Sequence, residues 1–417
     1  MTTSTPRYDL AIAGAGAVGL ATALWAQGAG LSVALMDKGE PGSGASFGNA
    51  GTIATYACMP VNSPSVFSSL PTLLFNRDSP LRIDPVYGAR HLPWLLAFLR
   101  NCTPARVAAI TASLAELLSQ ADAGLDPLFD QIETDGLIVS KGCLYLYATA
   151  QDFDAAAADI AARRANGVAF DILDEAAVKA LEPAIAMPVH KALYFSGARH
   201  ISDPGELMRR LHARFVAQGG HWLQAEVTAC QPASDGVTVS VAGHDAIRCD
   251  RFVVSAGAHS RSIAGSGAQA LPLDTERGYH LMFADHAGLL SRPVGWARAG
   301  FYATPMTHGL RIAGTVEIAG LDAPPMQSRF AYLQRMAGQL LGPLGEPSSN
   351  WLGFRPTMPD ALPVIGPSPA SDRVLFAFGH QHVGLTLSGI TGKIIADIAS
   401  GQRTNRDLSA WSPKRFG

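Results

Sequence analysis

Between Tyr8 and Asp37 the chain runs strand, glycine turn, helix and strand, an order that leaves few folds open. Tyr8 to Ala13 (YDLAIA) is short, apolar and partly β-branched, and reads as a strand buried in a parallel sheet. Gly14-Ala-Gly16-Ala-Val-Gly19 comes directly after it. In a G-x-G-x-x-G turn the first glycine makes the tight bend, the second admits a pyrophosphate close to the backbone, and the third lets the helix pack on the strand. The helix predicted from Ala17 to Gln27 points its free N–H groups and positive dipole end at those phosphates. Gly28 and Gly30 stop it, and Leu31 to Met36 (LSVALM) is the second strand. Asp37 lies 18 residues after Gly19, near the spacing of a carboxylate that holds a ribose hydroxyl pair. The same acid repels a 2′-phosphate and so disfavours NADP. Glycine and alanine are common in this chain, so the glycine spacing alone means little. The flanking strand, the helix and the acid turn it into a dinucleotide signature.

The segment beyond Asp37 narrows the ligand. Gly42 to Gly51 (GSGASFGNAG) holds four glycines in ten residues, a composition of neither helix nor strand. It is a loop at the carboxyl end of the second strand, where open α/β sheets bind their ligands. Exposed backbone there suits a ligand that extends well past its adenosine part.

The segment resembles the loop that runs beside the flavin in the D-amino acid oxidase superfamily of FAD-dependent oxidoreductases. The resemblance is closest to the bacterial D-amino acid dehydrogenases and hydroxyproline-type dehydrogenases. It implies non-covalent FAD, with Ser46, Asn49, Ala50 and Gly51 near the isoalloxazine. Gly14, Gly16, Ala17, Val18, Gly19, Asp37 and Lys38 would hold the nucleotide. Arg251 to Ser255 (RFVVS), ending in Ala256-Gly257-Ala-His-Ser, is similar to the family's "ATGAWS"-like strand end beside the cofactor, and implies that the Val227 backbone meets the adenine. Arg373 to Phe378, the turn Gly379-His-Gln-His-Val-Gly384 and a helix from Leu385 to Ser400 form a second strand–loop–helix unit. In the family this unit folds back on the nucleotide domain. Gly384, Leu385 and Thr386 would then offer N–H groups to the pyrimidine side of the flavin, where the reduced ring carries negative charge.

The implied architecture combines a discontinuous, Rossmann-like α/β FAD domain (1–60, 201–265 and 348–417) with an α+β substrate domain of mixed sheet and helices (61–200 and 266–347). Helical patterns run from Val107 to Ala123 and Asp152 to Asn166, and strand patterns from Gly142 to Ala148, Arg277 to Phe283, Gly300 to Thr304 and Gly309 to Glu317.

With 417 residues, half of them apolar, the chain can bury the cores of two domains. A formal net charge of -2 and no basic patch argue against nucleic acid. Five scattered cysteines fit neither a zinc site nor a disulfide framework, and point to a reducing compartment. The uncharged run from Leu10 to Ala26 is interrupted by glycines and too short to span a bilayer. The expected location is the cytoplasm, free or attached peripherally at the inner face of the membrane.

By resemblance the reaction is hydride transfer from an amine-bearing carbon to flavin N5, with the cofactor supplying the redox chemistry. An amino acid substrate needs a cation for its carboxylate, and arginine's planar fork matches that group with two hydrogen bonds. Arg355, in Gly353-Phe-Arg-Pro-Thr, is similar to the family's G-x-R-P arginine. That residue grips the substrate carboxylate in the oxidases and lies beside the flavin in some relatives. Tyr279 and Tyr302 are further candidates to donate a hydroxyl to the carboxylate. His380 and His382 lie in the C-terminal loop, and His382 is the candidate to receive the amine's proton. This His-x-His looks more like the hydroxyproline branch than the aliphatic D-amino acid dehydrogenases. No third ligand accompanies the pair, so no metal is expected.

The implied substrate is a D-amino acid or a cyclic imino acid, and the implied acceptor a quinone or an electron-transfer protein. An oxygen-using oxidase of glycine or sarcosine type, and a flavoprotein subunit without catalysis, remain as alternatives.

Overall fold

The computed structural model describes residues 7–64, 79–402 and 406–417. Small parts of the expected segments 1–60, 61–200 and 348–417 therefore lie outside the described residues.

The N-terminal motif folds as its residue types dictate. Strand Arg7–Ala13 pairs in parallel with Val33–Asp37 on one side and Ile247–Val254 on the other. His221–Gln224 extends the sheet beyond Val33–Asp37, and Ser371–Phe378 adds in parallel to residues 252–254. A hairpin, Val227–Ala233 and Gly236–Val241, lies antiparallel on the start of Ile247–Val254. The second strand starts at Val33 rather than Leu31, because the N–H and hydroxyl of Ser32 are bound to the Asp9 carboxylate.

The first strand is apolar on both sides because both faces are covered. Leu10 and Ile12 meet helix Ala17–Gly28 and the C-terminal helix Gly384–Ala399, and Ala11 and Ala13 face the hairpin side. Leu387, Ile390, Ile394 and Ile395 of the C-terminal helix are at most 1% exposed. At roughly 1.5–3 kcal/mol per buried side chain, this contact fixes a segment more than 350 residues distant in sequence onto the nucleotide domain.

A nine-stranded mixed sheet forms the other half. Its main order is Ser349–Thr357, Asp274–Phe283, Gly309–Ile318, Phe301–Met306, Val294–Trp296, Cys143–Tyr147, Lys191–Phe195 and Asp171–Leu173, with Leu81–Ile83 added to Gly309–Ile318. Helix Gln327–Leu341 covers one face through Phe330, Leu333, Ala337 and Leu340. The opposite face looks toward the nucleotide domain. Ser349–Thr357 pairs with Asp274–Phe283 along its length, so these residues join the nine-stranded sheet although the sequence assigns 348–417 to the FAD domain.

Two predicted helices are each broken in two. Val107 to Ala123 divides into Pro104–Leu118 and Ala121–Phe129, with Ser119 and Gln120 turning their side chains back onto the Glu116 carbonyl. Asp152 to Asn166 divides at Ala156 into Ala150–Ala155 and Ala157–Ala165. Among the described residues, no helix is long and apolar enough to cross a membrane.

Candidate active site

Four parallel strands, Arg7–Ala13, Val33–Asp37, Ile247–Val254 and Ser371–Phe378, deliver their carboxyl ends to one cavity of about 1040 Å³. Gly14 turns at φ 108°, and a β-carbon there would overlap the Ser255 carbonyl. Asp37 ties the bend down: Oδ2 accepts the Ala15 N–H at 2.7 Å and Oδ1 the Gly39 N–H at 3.0 Å. Gly16, Ala17, Val18 and Lys38 join the wall from this end, with Val227, Ala256 and Gly257 across from them. Helices Ala17–Gly28 and Gly384–Ala399 both start at the cavity with no cap from the side chain of the preceding residue and no acid in the first turn. Such ends attract negative charge.

The loop from Gly42 to Gly51 has no helix or strand, as expected, and is held from the N-terminal helix and from the nine-stranded sheet. Ser46 Oγ accepts the Ala17 N–H at 2.9 Å. Asn49 donates to the Ser46 carbonyl and accepts the Gly51 N–H, so its side chain shapes the loop. From the nine-stranded sheet, Arg311 donates to the Phe47 and Asn49 carbonyls at 3.0 and 2.8 Å. His280, stacked on Trp351, meets the Gly48 carbonyl at 2.9 Å. Ser46, Asn49 and Ala50 line the cavity, whereas Gly51 is drawn behind the wall, where its carbonyl accepts the Ile201 N–H.

Arg355 enters the cavity from Ser349–Thr357 and lies across Gly278 of the neighbouring strand, in the space a β-carbon would fill. Its Nη1 donates to the Thr315 carbonyl at 2.9 Å. Thr315 sits at φ 58°, an unfavourable conformation for a β-branched residue, at a register shift that aims its carbonyl at the guanidinium. Glu276 stands directly across the strand pair from Arg355. Burial raises its carboxyl to about 7, and Arg355 pulls it back only in part. His382 turns its ring into the cavity and is exposed to that open space; the protein enclosing the site and then the Arg355 charge lower its pKa, so it is neutral near pH 7. Tyr302 lines the wall beside Tyr145 and Tyr56, and burial keeps its hydroxyl protonated.

Some predicted residues are placed differently. Tyr279 borders the cavity, but its ring packs on the other side of the sheet against Phe330, where its hydroxyl donates to Glu317 and accepts the Met326 N–H. The strand's two-residue alternation sends Arg277, Tyr279 and Leu281 toward the helix and Glu276, Gly278 and His280 toward the cavity. The Tyr279 hydroxyl is thus committed and is not available to a substrate carboxylate. His380 is likewise engaged, its Nε2 lying 2.9 Å from Thr391 Oγ1. Gly384 and Leu385 line the cavity, but Thr386 is buried behind it and its hydroxyl accepts the Ala54 N–H at 2.9 Å. Gly19 also lies behind the wall, packed under the Gly14 carbonyl as the third glycine of its motif should be.

The sequence pattern of the FAD dependent oxidoreductase family, DAO, matches residues 9–398. The chain is 34% identical to a D-amino-acid oxidase of Bradyrhizobium diazoefficiens, over 98% of both chains. This chain belongs to the DAO family of FAD-dependent oxidoreductases. The oxidoreductase is also 28% identical to a D-amino acid dehydrogenase of the same organism, over 97% of this chain and 98% of that one. Among solved structures, glycine oxidase from Geobacillus kaustophilus shares the fold, with a TM-score of 0.76 at 23% identity over 99% of both chains. The residues present fit FAD: the bend at Gly14 leaves room for a pyrophosphate, two helix ends without an acid in the first turn face the cavity, and the Asp37 carboxylate lines it. No cysteine is among the residues lining the cavity, and all five are free and buried.

Three features of the oxidoreductase's site were missed in the sequence. Glu276 and Gly278 sit two apart in TERGYH, and the alternation with Tyr279, Leu281 and Phe283 was the signal for their face. Arg311 carried no such signal, since its partners are carbonyls more than 260 residues away.

Proposed function

We propose that the enzyme oxidises the carbon–nitrogen bond of a D-amino acid or a cyclic imino acid such as D-hydroxyproline, and passes the electrons to a quinone or an electron-transfer protein. The observation that carries this reading is Arg355: a guanidinium laid over a bare glycine on a cavity wall, with one hydrogen bond, to a backbone carbonyl, among the described residues. Such a fork takes an α-carboxylate with two parallel hydrogen bonds and orients the substrate. His382, neutral near pH 7, accepts a hydrogen bond from the amine nitrogen, but its lowered pKa makes it a poor acceptor of the amine's proton. Tyr302, Tyr145 and Tyr56 supply an aromatic wall for the side chain or ring. Bound FAD would supply the hydride acceptor for the amine-bearing carbon. The D-configuration is supported by the activities for which the two Bradyrhizobium relatives are named.

A second reading, direct use of oxygen, is favoured by the relative at 34% identity, which is a D-amino-acid oxidase. Anaerobic bleaching of the yellow holoenzyme against D- and L-amino acids and cyclic imino acids tests the substrate class. Admitting air then separates the acceptors: peroxide at turnover rates selects the oxidase. Arg355→Leu is expected to weaken substrate binding by roughly 2–5 kcal/mol. Unchanged affinity in that variant removes Arg355 as the anchor.

A further inference from the structure

Glu276 is only 2% exposed, its Oε2 has no hydrogen-bond partner, and it stands across the strand pair from Arg355 in the wall of the same cavity. We propose that Glu276 makes carboxylate binding at Arg355 proton-coupled: as a ligand carboxylate takes the guanidinium, the Glu276 carboxylate takes one proton from solvent and becomes the neutral acid. The inference rests on the reading of Arg355 as the carboxylate anchor.

Two carboxylates compete for one cation. In the free site Glu276 and Arg355 partly neutralise one another without a direct ion pair within 4 Å among the described residues. A second carboxylate on the same guanidinium leaves two anions sharing one cation in a desolvated wall, and in such pairs one anion is protonated. The surrounding groups do not relieve this. Thr357, from the Arg355 strand, brings only a neutral hydroxyl near Glu276, and that hydroxyl donates to the Arg355 carbonyl. His382, from the C-terminal loop, is uncharged near neutrality. Asp274, two residues back on the same strand, is a further carboxyl, bonded by the Tyr87 hydroxyl at 2.8 Å. The Arg277–Glu317 pair belongs to the opposite face of the sheet. Burial already lifts Glu276 to about 7, so the proton is taken up near physiological pH. Above that value Glu276 is ionised and competes for Arg355, so ligand affinity falls as pH rises, by at most about tenfold per unit.

The test uses the holoenzyme and cyclopentanecarboxylate, an analogue of proline without a titrating nitrogen. Calorimetry at pH 8 in buffers of differing ionisation enthalpy is expected to show uptake of roughly one proton per ligand bound. Zero uptake by the wild type overturns the inference, whatever the variants do. Glu276→Gln is expected to bind without uptake and with an affinity flat between pH 7 and 9, whereas His382→Asn keeps the uptake. If the uptake survives in Glu276→Gln, or vanishes in His382→Asn, Glu276 is not the acceptor. Arg355→Met is expected to lose the ligand. Equal binding by Arg355→Met, or no binding by the wild type at tens of millimolar, overturns the anchor reading itself.

Discussion

Gly278 carries no side chain, and the Arg355 guanidinium occupies the space that one would fill. Its φ lies outside the left-handed region, so alanine there is not strained by the backbone. The clash falls on the far end of a flexible side chain, which can move aside. Gly278→Ala should therefore fold normally and displace only the guanidinium. The expected result is a substrate KM raised about 10- to 100-fold, the equivalent of a lost charged hydrogen bond, with little change in melting temperature. Steady-state kinetics beside a thermal melt checks it; an unchanged KM would mean that Arg355 binds substrate from another position.

At the level of the strand, parity decides what each side chain does. Asp274–Phe283 sends Tyr279 into the apolar layer under helix Gln327–Leu341 and Gly278 into the cavity, although the two are neighbours in sequence. Tyr279→Phe thus separates stability from catalysis. Removing the hydroxyl takes a hydrogen bond from Glu317, which is 2% exposed and has Arg277 at 3.6 Å. The expected cost is about 1–3 kcal/mol of stability. The substrate KM should stay within about twofold, since a group turned away from the cavity contributes no substrate contact. A large rise in KM with unchanged stability would instead return Tyr279 to the substrate face. The glycine-rich loop illustrates the other side of element-scale control. Its composition predicts an irregular backbone, but Arg311 and His280 of the other domain fix its position.

Across the whole molecule, one cavity gathers segments from the start, the middle and the end of the chain, so cofactor and fold are thermodynamically linked. FAD at 100 times its Kd stabilises the folded state by about 2.7 kcal/mol, and thermal melts should rise with added FAD. Gly14→Ala removes the link at one point. Its β-carbon overlaps the Ser255 carbonyl, and its φ of 108° is poorly suited to alanine. The purified variant should be colourless, with a melting temperature that no longer responds to FAD. A yellow variant with the wild-type response would show that the bend at Gly14 tolerates a side chain.

The nucleotide half was legible in the sequence because it is built locally. Gly14, Gly16, Gly19 and Asp37 act through a contiguous strand–turn–helix–strand, and the turn before Gly384 repeats the device. Backbone N–H groups and glycine clearances form the cavity wall there, and their spacing is written in the chain. The substrate half is built from side chains on one face of a sheet whose strands come from 81 to 357. Which residues share that face depends on the register shift between Arg277 and Tyr279 and on the long-range pairing of Ser349–Thr357 with Asp274–Phe283. A one-residue change of parity exchanges Tyr279 for Gly278 and Glu276, and only the folded sheet sets that parity. The sequence by itself therefore determined the strand–turn–helix–strand at the cavity and singled out Arg355, which lines the same cavity. The tertiary structure decided that Arg355 lies over Gly278 with Glu276 at its side, because strand pairing, and no local rule, brings those three together.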